Sequence, residues 1–172
     1  MSKFWLNLID KFGAPRSGKS GKAATGKGVL LISSGGIGDT ILFSVIAPRF
    51  AALARPGEPV YLIVRSNSRP VTFLFPVEFR VIPVDYRRFM KSPPYRLAIC
   101  RTLGDLGCRL AVSTDHLRHP LVDDVLVRAS DADERLAMEP RSWPKHDAAL
   151  QKNRHDYSRL LTVTPGMAHR LV

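Results

Sequence analysis

The sequence predicts an α/β protein, a Rossmann-like parallel sheet with helices on both faces. From residue 28 onward, short apolar runs alternate with amphipathic stretches, as in chains built from strand–helix–strand units. The runs are apolar along their whole length, which is typical of strands buried on both faces. A glycine turn, Gly35-Gly36-Ile37-Gly38, follows the first run, and such a turn suits the tight connection from a buried strand to a helix.

The predicted elements follow in chain order. We expect strands over residues 29–33, 60–64, 80–84 and 110–113. We expect helices over residues 39–54, 95–106 and 121–129, and a short helix or turn over residues 69–75. Less regular segments are expected at 87–91 (a basic connection), 134–140 (a loop) and 147–161 (a polar helix or linker). On the first helix, the residues expected on the buried side are Ile41, Leu42, Val45, Ile46, Phe50 and Leu53.

Composition divides the chain into three parts. Residues 1–27 form a basic extension, whose apolar residues at helical spacing are Phe4, Trp5, Leu8, Ile9 and Phe12. A linker rich in Gly, Ser, Ala and Lys completes this extension. Residues 28–135 form the Rossmann-like domain, and residues 136–172 form a carboxyl-terminal helix or linker.

The formal net charge of +11 favours an anionic partner, such as a phosphorylated substrate or an acidic lipid surface. Nucleic acid is not expected, because the sequence lacks a reader motif and lacks aromatic residues interleaved with basic ones. The amphipathic extension could lie on an anionic membrane surface, or dock on the body of the protein itself. No apolar run approaches the ~20 residues that cross a bilayer. Cys100 and Cys108 are expected to be reduced core residues of a cytoplasmic protein, and we predict no metal and no cofactor.

A literal phosphate-loop match lies in the extension. Residues Gly13 to Ser20 satisfy the pattern G-x-x-x-x-G-K-[ST]. That motif binds phosphate only between a buried strand and a helix. The segment before Gly13 is amphipathic, and the segment after Ser20 has no apolar periodicity. A nucleotide site is therefore not expected there.

Ligands of open parallel sheets bind beyond the carboxyl ends of the strands. In this chain those ends are residues 34–39, 65–69, 85–88 and 114–118, and they carry the arginines Arg65, Arg69, Arg87, Arg88 and Arg118. Asp39 stands where the helix after the glycine turn begins. Its carboxylate either only caps the helix or takes part in chemistry at the mouth of the crevice.

One stretch also suggests a family. Leu30-Leu31-Ile32 is followed by the run Gly36-Ile37-Gly38-Asp39-Thr40-Ile41-Leu42-Phe43-Ser44. Weaker matches lie at Arg109-Leu110-Ala111-Val112, at Ala132-Asp133-Glu134-Arg135 and at His169-Arg170. In these residues the chain resembles the amino-terminal half of the family 9 glycosyltransferases, the lipopolysaccharide heptosyltransferase group. It departs from the family pattern at Val45, which stands directly after Ser44 where the family usually has proline, and at Ala137, where glycine is expected.

The resemblance implies one half of a GT-B glycosyltransferase, an enzyme that moves a sugar from a nucleotide-sugar donor to a lipopolysaccharide or other oligosaccharide acceptor. It implies that residues 28–135 are the acceptor-side domain and that Asp39 is the catalytic base. We predict that the acceptor is bound by Gly35, Gly36, Gly38, Thr40, Arg65 and Arg118, the two arginines being assigned from their positions at strand ends. A nucleotide-sugar donor could be held only if a second domain were supplied, so we expect the chain to be a truncated or split, inactive piece. The implied location is cytoplasmic, with peripheral contact at the inner face of the cytoplasmic membrane.

Two other functions stay open on the sequence. The first is an NADP-binding oxidoreductase domain, since Arg65 could hold a 2′-phosphate, although Gly36-x-Gly38-x-x-Ile41 lacks the third glycine of the dinucleotide fingerprint. The second is a non-catalytic basic module that binds a membrane or another anion.

Overall fold

A computed structural model describes residues 27–162, which form a six-stranded, all-parallel sheet. The strands are β1 Val29–Ser33, β2 Val60–Arg65, β3 Phe79–Val84, β4 Leu110–Ser113, β5 Glu134–Met138 and β6 Arg159–Leu161. Their spatial order is β3-β2-β1-β4-β5-β6, and every neighbouring pair is parallel. The predicted α/β, Rossmann-like fold is confirmed.

Five α-helices and two 3₁₀ helices connect these strands. The α-helices are α1 Ile37–Ala51, α2 Tyr86–Lys91, α3 Pro93–Asp105, α4 Asp123–Ala129 and α5 Asp147–Lys152, and the 3₁₀ helices span Ser66–Leu74 and Asn153–Asp156. None of the helices within residues 27–162 is long and apolar enough to cross a membrane.

Local sequence explains where the second and third helices begin. The Asp85 carboxylate accepts a 2.9 Å hydrogen bond from the Arg88 N–H, a side-chain cap that starts α2. Pro93 and Pro94 then begin α3, where a missing N–H costs nothing. Residues 87–91, predicted to be a polar, basic connection, are helical, because the Asp85 carboxylate caps a helix at this point.

Strand β1 lies at the centre of the sheet and sets its register. Val29 pairs with Val60 of β2 on one side and with Leu110 of β4 on the other. From β1 the strands are therefore added on one side through β2 and β3. The chain then returns to the other side of β1 and adds β4, β5 and β6 there. In open α/β sheets the ligand crevice lies at such a reversal, here between the carboxyl ends of β1 and β4.

Each face of the sheet has its own apolar core, because alternate residues of a strand point to opposite faces. Leu30 and Ile32 pack with residues of α2, α3 and α4. Val29 and Leu31 pack with Phe43 and Ala47 of α1 and with aromatic residues flanking β3. Helices therefore cover both faces, as predicted.

The carboxyl-terminal part of the sheet corrects two predictions. Residues 134–138 form strand β5, and residues 159–161 form strand β6, where a loop and a helix or linker were expected. The sheet therefore continues through β6, and the expected boundary at residue 135 falls inside β5. In the second segment only residues 147–156 are helical.

Helix α1 also packs differently from the prediction. Its buried residues are Thr40, Phe43 and Ala47. The side expected to be buried is largely open to solvent: the exposed fractions are 41% for Ile41, 71% for Leu42, 77% for Val45, 44% for Ile46 and 39% for Leu53 just beyond the helix. Three predictions lie outside the described residues, namely the amphipathic part of the extension, the phosphate-loop match at 13–20 and His169-Arg170.

Candidate functional site

The turn between β1 and α1 lies at the predicted crevice, and N–H groups of this turn donate hydrogen bonds to carboxylates. The Gly36 N–H donates a 2.9 Å hydrogen bond to Asp39 Oδ2. The Ser34 N–H donates to Asp115 Oδ2, and the Ser34 hydroxyl donates to the same oxygen at 2.8 Å. Asp115 follows β4, so the two strands that border the crevice each contribute one carboxylate. We call residues 34–39 together with Asp115 the carboxylate turn.

Asp39 serves as a cap and also remains open to solvent. It is the third residue of α1, and its Oδ2 accepts the N–H of Gly36, the residue just before the helix. Within residues 27–162 its other oxygen, Oδ1, accepts no hydrogen bond. The side chain is exposed. The cap function is therefore present, and one carboxylate oxygen is available to a ligand.

Gly35 is required by the packing of this turn. A Cβ built on Gly35 would lie 2.3 Å from Asp39 Cβ and 2.8 Å from Asp39 Cγ, well inside van der Waals contact. A Cβ on Gly38, which is exposed at the start of α1, would have no atom within 4 Å. Of these two glycines, only Gly35 leaves the space that the Asp39 side chain occupies.

Thr40 and Arg118 were both predicted to bind the acceptor, and both are fully buried. The Thr40 hydroxyl donates to the Gly36 carbonyl at 2.9 Å and lies 3.0 Å from the Ser68 hydroxyl. It fastens α1 to the 3₁₀ helix rather than facing the crevice. The Arg118 guanidinium forms an ion pair with Asp124 at 2.8 Å, where both side chains are 0% exposed. It is therefore enclosed in the protein and is not placed to meet an acceptor.

The other strand-end arginines are exposed. Arg65, at the end of β2, lies over the Tyr86 ring with 5.5 Å between its Cζ and the ring centroid. Arg88 lies over the Tyr95 ring at 4.6 Å. Arg69 and Arg87 are also exposed. Cationic side chains are thus present at the ends of β2 and β3, as predicted, while the turn itself is lined by acids.

Asp115 of the carboxylate turn, which is half-buried, and Asp123 beside it, which is fully buried, both have raised pKa values. Burial raises the pKa of Asp115, with a further contribution from the charge of Asp39, and the Ser34 hydrogen bonds oppose this shift. Asp123, at the start of α4, is 0% exposed and accepts the His119 N–H at 2.5 Å. Burial, together with the charge of Asp115, raises the pKa of Asp123 to about 7. Asp123 therefore keeps its proton to a much higher pH than an exposed aspartate does.

Tyr86 completes this buried group. Its hydroxyl has no hydrogen-bond partner within the described residues, and the same is true of Asp123 Oδ1. Burial raises the pKa of Tyr86 well above its usual range, and the charges of Asp123 and Asp115 add to the shift. The tyrosine therefore stays neutral and keeps a proton to donate.

Sequence reasoning did not single out Ser34, Asp115, Asp123 or Tyr86. A signal for Asp115 existed, because it follows the fourth strand at an edge where ligands were expected. What was missing was the strand order, since only the pairing of β1 with β4 places Asp115 beside the glycine turn. In residues 27–162, no group of three or more His, Cys, Asp or Glu side chains is arranged to hold a metal ion.

Comparison with known proteins gave no match to any family model, curated protein or solved structure.

The buried Asp123 gives the stability of the protein a distinctive pH dependence. Its pKa is about 7 in the folded protein against 3.8 for an ordinary aspartate, so the folded state holds the proton more tightly than the unfolded state. The contribution of this proton to the free energy of unfolding is fully present below about pH 4 and is lost as the pH rises through about 7. The loss amounts to about 4 kcal/mol at most, at roughly 1.4 kcal/mol per pKa unit.

We therefore expect Asp123→Asn to flatten the fall in unfolding free energy between pH 4 and pH 8 and to be relatively more stable at pH 8. Urea unfolding at both pH values measures this, with Asp133→Asn, an exposed change at the other end of the sheet, as the control. Identical pH profiles for the wild type and Asp123→Asn would contradict the assignment.

Proposed function

We propose that this chain is the acceptor-side domain of a sugar transferase of the family 9 type, with Asp39 as the base that receives the proton of the acceptor hydroxyl. The proposal combines the resemblance of the Gly36–Ser44 run with the geometry of the carboxylate turn. Its acceptor is an oligosaccharide or lipid-linked sugar of the lipopolysaccharide type. Such an acceptor would bring the domain to the inner face of the cytoplasmic membrane.

The observation that carries the proposal is the occupation of the turn by carboxylates. Free N–H groups at the start of a helix normally form an anion site. Here Asp39 and Asp115 already accept the N–H groups of Gly36 and Ser34. A phosphate entering the same place would meet two negative charges instead of open donors. The turn thus favours a ligand that donates hydrogen bonds over one that carries phosphate at this point.

Sugar hydroxyls are donors of this kind, and hydrogen bonds to carboxylates are among the stronger ones. In the proposed reaction the acceptor oxygen bonds to the anomeric carbon of the donor sugar, and the bond from that carbon to the nucleoside diphosphate breaks. The proton of the attacking hydroxyl passes to Asp39, whose exposed carboxylate is suited to general base catalysis. The nucleotide sugar itself would be supplied by a second domain or a second chain.

The exposed arginines at the strand ends suit an acceptor that carries negative charge away from the reacting hydroxyl. Arg65 ends β2 and Arg69 lies in the 3₁₀ helix that follows it, while Arg87 and Arg88 lie in the first turn of α2. Arginine binds phosphate and carboxylate groups in two-pronged fashion. The proposed acceptor therefore has a neutral hydroxyl at Asp39 and anionic substituents toward β2 and β3.

A second candidate is the NADP-binding domain, which two observations favour. The strand order β3-β2-β1-β4-β5-β6 is the order of dinucleotide-binding sheets, and Arg65 is exposed at the end of β2. Against it stands the same carboxylate turn, because the dinucleotide pyrophosphate needs the N–H groups that Asp39 and Asp115 occupy.

A matched glycine pair tests the proposal. We expect Gly35→Ala to weaken binding of a soluble, deacylated lipopolysaccharide core oligosaccharide by about tenfold, the equivalent of one charge-assisted hydrogen bond. The added Cβ would displace Asp39, whereas Gly38→Ala meets open space and should bind like the wild type. Titration calorimetry measures the affinities, and thermal melting shows whether both variants remain folded.

NADPH is titrated into the same proteins. Binding of NADPH without binding of the oligosaccharide would overturn the proposal in favour of the second candidate. Equal oligosaccharide affinity for Gly35→Ala and the wild type would remove Asp39 from the acceptor site.

A further inference from the structure

Helix α1 is apolar on two opposite sides. One side packs on the sheet through Phe43 and Ala47. The other side forms an exposed stripe at helical spacing, which we call the α1 stripe: Ile37 (42% exposed), Ile41 (41%), Leu42 (71%), Val45 (77%) and Ile46 (44%). A helix that is apolar all round is normally buried on all sides. Within residues 27–162, nothing covers the α1 stripe.

The chain outside the described residues offers an occupant. Five apolar residues of the extension fall at helical spacing: Phe4, Trp5, Leu8, Ile9 and Phe12. We propose that this segment, residues 4–12, docks on the α1 stripe and covers it. The contact would be between two apolar faces of similar length, each supplied by the same chain.

The attachment point of the extension agrees with this docking. The Lys27 N–H donates to the Gly107 carbonyl at 2.9 Å, so the described chain begins at the amino end of β1, the strand directly before α1. The linker of residues 13–26 spans roughly 46 Å when extended, at about 3.3 Å per residue. Helix α1, with its 15 residues, is about 22 Å long. Every part of the stripe is therefore within reach.

The size of the stripe argues against a second copy as its occupant. The stripe consists of five exposed side chains on one helix, whereas a stable interface between separate proteins uses about 20–30 residues on each partner. Stable interfaces between separate proteins bury about 800 Å² on each partner. An intramolecular partner needs less area, because the linker holds it at an effective concentration in the millimolar range.

The sequence of the stripe argues against a lipid surface as its occupant. Residues 41–46 carry no charge, and the two exposed charges of α1, Asp39 near its start and Arg49 near its end, are opposite in sign, so the helix presents no net positive charge to anionic headgroups. The six basic residues of the extension, Lys3, Lys11, Arg16, Lys19, Lys22 and Lys27, lie between or outside its apolar positions, where docking leaves them in solvent.

Trp5 fluorescence in the full chain tests the docking. The only other tryptophan is Trp143, so Trp143→Phe makes Trp5 the sole emitter. We expect Trp5 emission in this background to be blue-shifted against the urea-denatured chain. Val45→Glu should shift it to the red and make trypsin cleavage in the linker roughly tenfold faster. The matched control is Val77→Glu, at a 99% exposed valine of the loop before β3, which should change neither.

A cysteine pair supplies a second measurement that does not depend on disrupting the contact. Leu8→Cys combined with Leu42→Cys should form an intramolecular disulfide on mild oxidation, since Cys100 and Cys108 are buried. Three results would each overturn the proposal. They are a Trp5 emission equal to that of the denatured chain, a blue shift that appears only as the protein concentration rises and a dimer forms, and a blue shift that requires added anionic vesicles.

Discussion

Asp124→Asn is expected to lower the free energy of unfolding by about 3–5 kcal/mol, because it leaves the charge of Arg118 buried without its partner. The Asp124 carboxylate is 0% exposed and accepts hydrogen bonds from three side chains: Arg118 at 2.8 Å, Tyr157 at 2.6 Å and Asn153 at 2.9 Å. Asparagine keeps the shape of the side chain and loses the charge. The decrease in unfolding free energy should therefore reflect the loss of the ion pair rather than the creation of a cavity.

The position of this pair makes the effect larger than a local one. Arg118 also donates to the Met138 carbonyl at the end of β5 and lies over the Tyr157 ring at 4.8 Å. The Arg118 guanidinium thus connects its own loop with three other segments: helix α4, strand β5 and the segment before β6. We expect the outer strands β5 and β6 to lose protection from hydrogen exchange first in Asp124→Asn.

The chain contains a matched control in Glu139, which pairs with Arg154 at 2.6 Å where the two side chains are 33% and 39% exposed. Glu139→Gln removes the same charge from the same kind of pair, and exposed pairs contribute about 1 kcal/mol or less. Urea unfolding of both variants measures the difference. If Asp124→Asn costs no more than Glu139→Gln, the buried pair does not hold these elements together.

Asp39→Asn is expected to slow sugar transfer by about 10²–10⁴-fold, the usual contribution of a positioned general base. This prediction depends on the proposed function and needs a chain joined to a donor-binding domain. Asparagine can still accept the Gly36 N–H, so the cap and the fold should survive. The Michaelis constant for the acceptor should change little, because the lost group acts on a proton in the transition state.

Asp133→Asn again provides the control, since this exposed acid lies at the amino end of β5, away from the crevice. Transfer rates with labelled nucleotide sugar and saturating acceptor separate the two variants. A rate for Asp39→Asn within a fewfold of the wild type would show that Asp39 is only a helix cap.

The sequence predicted the inner strands well and the outer ones poorly, for a physical reason. β1, β2 and β4 are buried on both faces and read as continuous apolar runs. β5 begins with Glu134 and Arg135, which are exposed or half-buried, so no apolar run marks it. Helix α1 misled the prediction in the opposite way. Because it is apolar on two opposite sides, its periodicity does not indicate which side faces the sheet.

In the candidate site, too, some residues could be identified from local sequence and others only from the strand pairing. Gly35 and Asp39 lie four residues apart, so local sequence was enough to identify them. Asp115 joins them only through the pairing of β1 with β4. Arg118 looked like a ligand-binding residue because it follows a strand, and nothing local announced that Asp124 would enclose its charge.

The central place of β1 also has a consequence for how the chain folds during synthesis. β1 is the first strand of the sheet to be made, yet its second neighbour begins only at Leu110, after β2, β3, three α-helices and one 3₁₀ helix. At about 5–20 residues per second, the ribosome leaves that side of β1 unpaired for roughly 4–16 seconds. Val29–Ser33 is completely buried in the finished protein. The nascent chain therefore carries an open apolar strand edge from the completion of β1 at Ser33 until β4 is made at Leu110–Ser113, the period in which a chaperone has the most to protect.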